Sequence, residues 1–167
     1  MKVPFLDIDG VLDSVRSATA FGGYPMELEH IGAFDPIAIR LIQRLCDASG
    51  AQVVLSSAWR TFVDFRAVGE AFGLPVIGET PLLLGQRGDE IYAWLCEHPQ
   101  VEQYAIVDDN DDMLPGQMPR FVQTCGFDGL RWGDYVRLCE LFGVDPEAGE
   151  PRDRDWRGAP ASGRADG

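Results

Sequence analysis

Short unbroken apolar runs alternate along this chain with segments whose apolar positions recur at helical spacing. Lys2 to Ile8 reads as a buried first strand, with Pro4 tolerated near its start. Asp35-Pro36 sets a capping acid before proline at the first helical position, and Ala38, Leu41, Ile42 and Leu45 then hold one face as far as Gly50. Ala51 to Leu55 reads as a second buried strand with Ser56 and Ser57 at its tip. A helix follows from about Thr61 to Phe72, stopped by Gly73. Pro75 to Ile77 is a short strand and Gly78 to Gly88 a loop. Asp89-Glu90 opens a helix carrying Ile91, Trp94 and Leu95 and closed by His98-Pro99. Gln103 to Val107 and Arg120 to Gln123 complete the strands, and Trp132 to Phe142 is the last helix, closed by Gly143. Asp13 to Phe34 shows neither period and reads as a loop or short hairpin standing over the strand ends. Strand, helix, strand in succession predicts an α/β fold with a mostly parallel sheet.

With 167 residues, 46% hydrophobic and 25% charged, the chain has room for one domain, expected over residues 1–144. From Asp145 onward Pro, Gly, Asp and Arg dominate and Trp156 is the only large apolar residue, so 145–167 is expected to be a disordered tail. A formal net charge of −13 argues against a broad basic face for nucleic acid, because that affinity comes largely from neutralising phosphates. Cys46, Cys96, Cys125 and Cys139 form no C-x-x-C pair, and His30 and His98 are far from them, which favours reduced thiols over zinc or disulfides. No leader-like or membrane-spanning stretch is evident, so the expectation is a cytoplasmic protein with no membrane partner.

The chemistry is concentrated where strands end. Phe5-Leu6-Asp7-Ile8-Asp9-Gly10 places two carboxylates one residue apart at the carboxyl end of an apolar strand, the side on which open α/β sheets bind ligands. Residues i and i+2 of a strand share a face. Two such acids raise each other's pKa unless a cation neutralises them, and an oxygen-only set suits a hard ion such as Mg²⁺. Gly10 lets the chain turn away. The strand ending at Val107 also runs into acid, Asp108-Asp109-Asn110-Asp111-Asp112.

A strand ending in Asp-x-Asp, a strand ending in Ser, a cation before a helix and a strand ending in Asp-Asp, in that order, resemble the haloacid dehalogenase (HAD) superfamily of phosphotransferases across about Lys2 to Leu141. The narrower phrasing, with Val54-Leu55-Ser56-Ser57-Ala58-Trp59-Arg60 and Arg87-Gly88-Asp89-Glu90-Ile91, is similar to the HAD domains of Swiss Army Knife RNA-repair proteins. The resemblance implies a three-layer Rossmann-like fold and a Mg²⁺-dependent phosphomonoester hydrolase. Asp7 is then the nucleophile that forms an aspartyl-phosphate, and Asp9 the general acid and base. It implies metal ligation by Asp7, the main chain of Asp9, and Asp108, with Asp109 as the further candidate and Asp112 at an alternative spacing. Ser56 matches the hydroxyl that bonds a phosphoryl oxygen, with Ser57 its neighbour by a one-residue slip in register. Gly10 lies beside them. The superfamily's usual third-motif lysine is missing, since Lys2 is the only lysine, so Arg87 is the substitute and Arg60 its competitor.

The gaps after the first and second motifs are too short for an inserted cap domain, so the site is expected to be capless or to carry a minimal flap. An open site admits a phosphate on a nucleic-acid end or a nucleotide, provided that Arg16, Arg60, Arg66 and Arg87 gather positive potential at its mouth. A small phosphometabolite is the next substrate class and a phosphoprotein the third. The alternative function is a catalytically idle HAD-like module serving as a binding or repair-complex partner.

Overall fold

The computed structural model describes residues 1–148. In chain order it contains β1 (Lys2–Leu6), α1 (Val15–Phe21), α2 (Pro36–Ser49), β2 (Val53–Leu55), α3 (Phe65–Phe72), β3 (Val76–Glu79), α4 (Arg87–Glu97), β4 (Gln103–Asp108), β5 (Phe121–Gln123) and α5 (Trp132–Phe142), with short 3₁₀ segments at Leu28–Ala33, Ala58–Thr61 and Met118–Arg120. The five strands form one sheet in the order β3-β2-β1-β4-β5, every pair parallel. From β1 the chain winds outward through β2 to β3, then crosses back to β4 on the other side of β1. That reversal opens a crevice at the carboxyl ends of β1 and β4.

Alternation along each strand divides the core into two layers. Leu6, Val53, Leu55, Ala105, Val107 and Val122 pack with α2, α3 and α5. Val3, Phe5, Val54 and Ile106 pack with Ile91 and Trp94 of α4. Strand parity therefore puts Asp7, in line with Val3 and Phe5, and Asp108, in line with Ile106, on the α4 side. The four cysteines are all free thiols.

Three sequence expectations are corrected. Asp13 to Phe34 is neither loop nor hairpin, since it holds α1 and a 3₁₀ segment. The start of α1 is written in hydroxyls rather than in an apolar stripe: Ser14 accepts from the Ser17 amide, Ser17 accepts from the Ser14 amide at 2.9 Å, and Gly22, at φ +90°, ends the helix. The helix expected from Thr61 begins at Phe65, where Asp64 accepts from the Arg66 amide at 2.7 Å; Ser57 caps a separate 3₁₀ turn before it. The helix expected from Asp89 begins at Arg87, because Asp112 accepts the amides of Arg87 and Gly88 from outside the helix. Residues 145–148 are held by Arg44, which donates to the carbonyls of Pro146 and Ala148, and by the Tyr135 hydroxyl. Residues 149–167, including Trp156, lie outside the described residues.

The first turn of α4 is clamped to the segment after β4. Gln117 donates to the Gly88 carbonyl at 2.8 Å and accepts from the Leu114 amide at 2.9 Å. A Cβ at position 88 would meet the Leu114 backbone nitrogen at 2.5 Å and Gln117 Oε1 at 2.7 Å. Gly88→Ala is therefore expected to destabilise the fold by about 1–3 kcal/mol, as overpacking does elsewhere. A thermal midpoint equal to that of the unmodified protein would show that the clamp has slack.

Candidate active site

The register of β1 and β4 builds the site. Leu6 pairs with Val107, and the Asp7 amide donates to the Val107 carbonyl at 3.0 Å, so Asp7 and Asp108 leave neighbouring strands side by side. On the other flank of β1 the Ser56 amide donates to the Leu6 carbonyl at 3.0 Å, placing Ser56 at the end of β2 in the same row. Asp7, Ser56 and Asp108 are all buried. Among the described residues the Ser56 hydroxyl has no hydrogen-bond partner.

Arg87, the first residue of α4, supplies the counter-charge. Its Nη1 lies 3.2 Å from Asp7 Oδ1 and 2.9 Å from Asp108 Oδ2. Burial disfavours the guanidinium charge, but Asp7 and Asp108 outweigh it and raise the Arg87 pKa. Asp108 Oδ2 makes this ion pair without an aligned hydrogen bond, while its Oδ1 accepts from the Asn110 amide. Carboxylate oxygens of Asp7, Asp108 and Asp109 lie within 4.8 Å of one another, a spacing that could hold a metal ion. The fit is chemical as well as spatial, because hard oxygen donors surround a buried carboxylate oxygen that has spare acceptor capacity. Burial, and then the Asp7 charge, pushes the Asp108 carboxyl up to about 7 and raises Asp109 in the same direction.

Glycines make room for these acids. At Gly10, φ is +73° and a Cβ would stand 2.4 Å from Asp109 Oδ2; at Gly126 it would stand 2.9 Å from the same oxygen. The Gly10 amide donates to Asp13 Oδ1 at 3.0 Å and its carbonyl accepts from the Thr124 hydroxyl at 2.8 Å, so Gly10 shapes the turn with both polar groups engaged.

Asp9 opens onto a cavity of about 510 Å³ lined also by Asp7, Asp13, Arg87, Asp109 and the loop Tyr24 to Met26. Its side chain meets solvent there, yet crowding by the surrounding protein, with the Asp7 charge beside it, raises its pKa. The Trp59 indole donates to Asp9 Oδ1 at 2.9 Å and offsets part of that rise. Trp59 is both buried core and a partner of Asp9. Asp13 had no assigned role in the sequence reading. It is buried, and burial followed by the charge of Asp9 pushes it up to about 7. Its spacing, six residues after Asp7, was the available signal.

Three of the sequence-derived candidates go elsewhere. Ser57 Oγ accepts from the Trp59 amide at 3.3 Å, which fixes the register in favour of Ser56 as the available hydroxyl. Arg60 donates to the carbonyls of Ser56 and Ser57 and pairs with buried Glu90, bracing the second motif from behind. Asp112 holds the start of α4 rather than joining the acids.

No curated protein and no solved structure is significantly similar to the chain. The family model described as the HAD domain in Swiss Army Knife RNA repair proteins matches residues 3–134, a span that includes every group gathered above. With an all-parallel five-stranded sheet and its acids at the switch point, the chain belongs to the family of HAD domains found in Swiss Army Knife RNA repair proteins.

Proposed function

We propose that the protein is a Mg²⁺-dependent phosphomonoester hydrolase working through an aspartyl-phosphate at Asp7. The observation that carries this reading is the ion-paired cluster of Asp7, Asp108 and Arg87, in the same row of strand ends as the buried Ser56, whose hydroxyl is unpartnered among the described residues. An Asp7 oxygen attacks phosphorus as the bond to the alcohol oxygen breaks, and Asp9 gives that oxygen a proton. Water then attacks the phosphorus of the aspartyl-phosphate, Asp9 takes the proton back, and Asp7 is released with inorganic phosphate. Arg87 and Ser56 hold the phosphoryl oxygens, Arg87 in the place of the superfamily's lysine. Magnesium held by Asp7, the Asp9 main-chain carbonyl, Asp108 and Asp109 would supply the charge that lets a carboxylate approach an anionic phosphate. The raised Asp9 pKa suits a group that must carry a proton to the leaving oxygen. The family's place in RNA repair supports a phosphate on a nucleotide or a nucleic-acid end as the substrate.

Asp7→Asn is expected to abolish phosphate release from an aryl phosphate while cation binding weakens but persists. Asp9→Asn should slow alkyl phosphates by about 10²–10⁴-fold and aryl phosphates far less, because a phenolate leaves without protonation. Equal losses for both classes would remove Asp9 from the acid role. No turnover across a broad panel with the cation bound would assign an idle binding module instead.

The carboxyls pushed up to about 7 give a pH signature. In the cation-free protein Asp13 and Asp108 keep their protons up to about 7, whereas the unfolded chain loses its own near ~3.9. The unfolded state binds fewer protons in that window, so stability is expected to fall as pH rises from ~4 to ~7. Mg²⁺ should raise the melting temperature at pH 7.5 and much less at pH 5. Asp108→Asn should remove most of the Mg²⁺-dependent increase, and an undiminished increase in that variant would exclude Asp108 as a ligand.

A further inference from the structure

The cavity over the acids has a second wall that the chemistry above leaves without a role. Tyr24, Pro25 and Met26, from the segment between α1 and the following 3₁₀ turn, line it together with Ala58. Tyr24 and Met26 are 54% and 71% exposed, so an aromatic ring and a thioether face solvent beside the polar site. Met26 also borders a neighbouring groove lined by Leu28, Phe62 and Val63 and by the acids Glu27, Glu29 and Asp64. This wall of the cavity is thus apolar and aromatic, and the groove beside it carries acids.

The four arginines that could have made the mouth basic are each committed to a carboxylate. Arg16 pairs with Asp35 at 2.6 Å and Arg66 with Asp64 at 3.4 Å, while Arg60 pairs with Glu90 and Arg87 with Asp7 and Asp108. A single phosphoryl group has its counter-charge in Arg87 and the cation. A second and third phosphate running outward past Glu27, Glu29 and Asp64 would meet acids, with Arg66 already paired to Asp64. The volume, about 510 Å³, is within the roughly 300–1,000 Å³ of small-molecule sites.

Resting on the hydrolase reading above, we infer that Tyr24 and Met26 form a ring-binding subsite for the leaving group, and that the substrate is a small phosphomonoester whose alcohol bears a flat ring, as in a mononucleotide or an aryl phosphate, rather than the end of an extended strand. Stacking on a tyrosine and contact with a polarizable thioether recognise such a ring without charge.

The test compares the unmodified protein with Tyr24→Ala and with Tyr24→Ala/Met26→Ala at fixed Mg²⁺ and low salt. The probes are nucleoside 3′- and 5′-monophosphates, 4-nitrophenyl phosphate, glycerol phosphate and a 3′-phosphorylated oligonucleotide. Binding to the same proteins carrying Asp7→Asn is measured by calorimetry, which reads occupancy without turnover. The double variant should weaken KM and Kd for the ring-bearing monoesters about tenfold, in line with the loss of one stacking contact, and leave glycerol phosphate unchanged. The mononucleotide and aryl arms tell which ring is preferred, and the oligonucleotide should bind no more tightly than the mononucleotide. Equal losses for ring-bearing and ringless substrates, no loss at all, or no binding of any ring-bearing probe overturns the subsite. Tighter oligonucleotide binding with a steep salt dependence also overturns it. Ring-selective binding without phosphate release would keep the subsite and reject the hydrolase, whereas robust release indifferent to Tyr24 and Met26 would do the reverse.

Discussion

The pairing of Leu6 with Val107 is the constraint on which the site depends. It sends Asp7 and Asp108 out of adjacent parallel strands on the same face, where burial, and then the charge of Asp7, raises the Asp108 carboxyl. Arg87 offsets part of that rise, and it can do so because α4 begins at that residue. The clamp of Gly88 against Leu114 and Gln117, and the Asp112 carboxylate on the Arg87 amide, set where α4 begins. The clearance at Gly10 and Gly126 has the same logic, because it lets Asp109 enter the cluster. One strand register, one helix start and two missing side chains thus generate the charge arrangement.

The same electrostatics bear on what the site can accept. Asp7, Asp108 and Asp109 could hold a cation, Arg87 pairs with the first two, and Asp9 and Asp13 line the same cavity; on the proposed hydrolase reading a single phosphoryl group binds there. Arg16, Arg60 and Arg66 are each held in an ion pair, which on the ring-subsite proposal leaves recognition beyond the phosphate to shape and apolar contact. Trp59 links the two tasks: its ring packs against Phe34 in the core while its indole N–H steadies Asp9 at the mouth.

Much of this was legible in the sequence because strand ends are marked strongly. Apolar runs breaking abruptly into Asp7, Ser56 and Asp108 located the crevice, and parity put these residues on one face. Asp35-Pro36 and Gly143 marked helix ends that the structure places at the same residues. Less legible was whatever depends on partners distant in sequence. Arg87 is the expected substitute for the third-motif lysine and Arg60 its competitor; Glu90 and the carbonyls of Ser56 and Ser57 divert Arg60 from the cavity. The one-residue slip that kept Ser57 beside Ser56 is closed by a local bond, from the Trp59 amide to the Ser57 hydroxyl. The short α1 escaped detection because a Ser-x-x-Ser cap carries a weaker signal than Ser-x-x-Glu, and the few apolar residues of α1 show no clear stripe.

The most direct test is to identify the residue that becomes phosphorylated. The protein is mixed with an aryl phosphate and Mg²⁺, quenched within a turnover and treated with borohydride, which reduces an acyl phosphate and converts the aspartate that carried it to homoserine. Peptide mass spectrometry then reads the site. Homoserine at position 7, absent without substrate, is the result expected of this arrangement. Phosphate release at full rate with no reduced aspartate, or with reduction at Asp9 or Asp108, would contradict it.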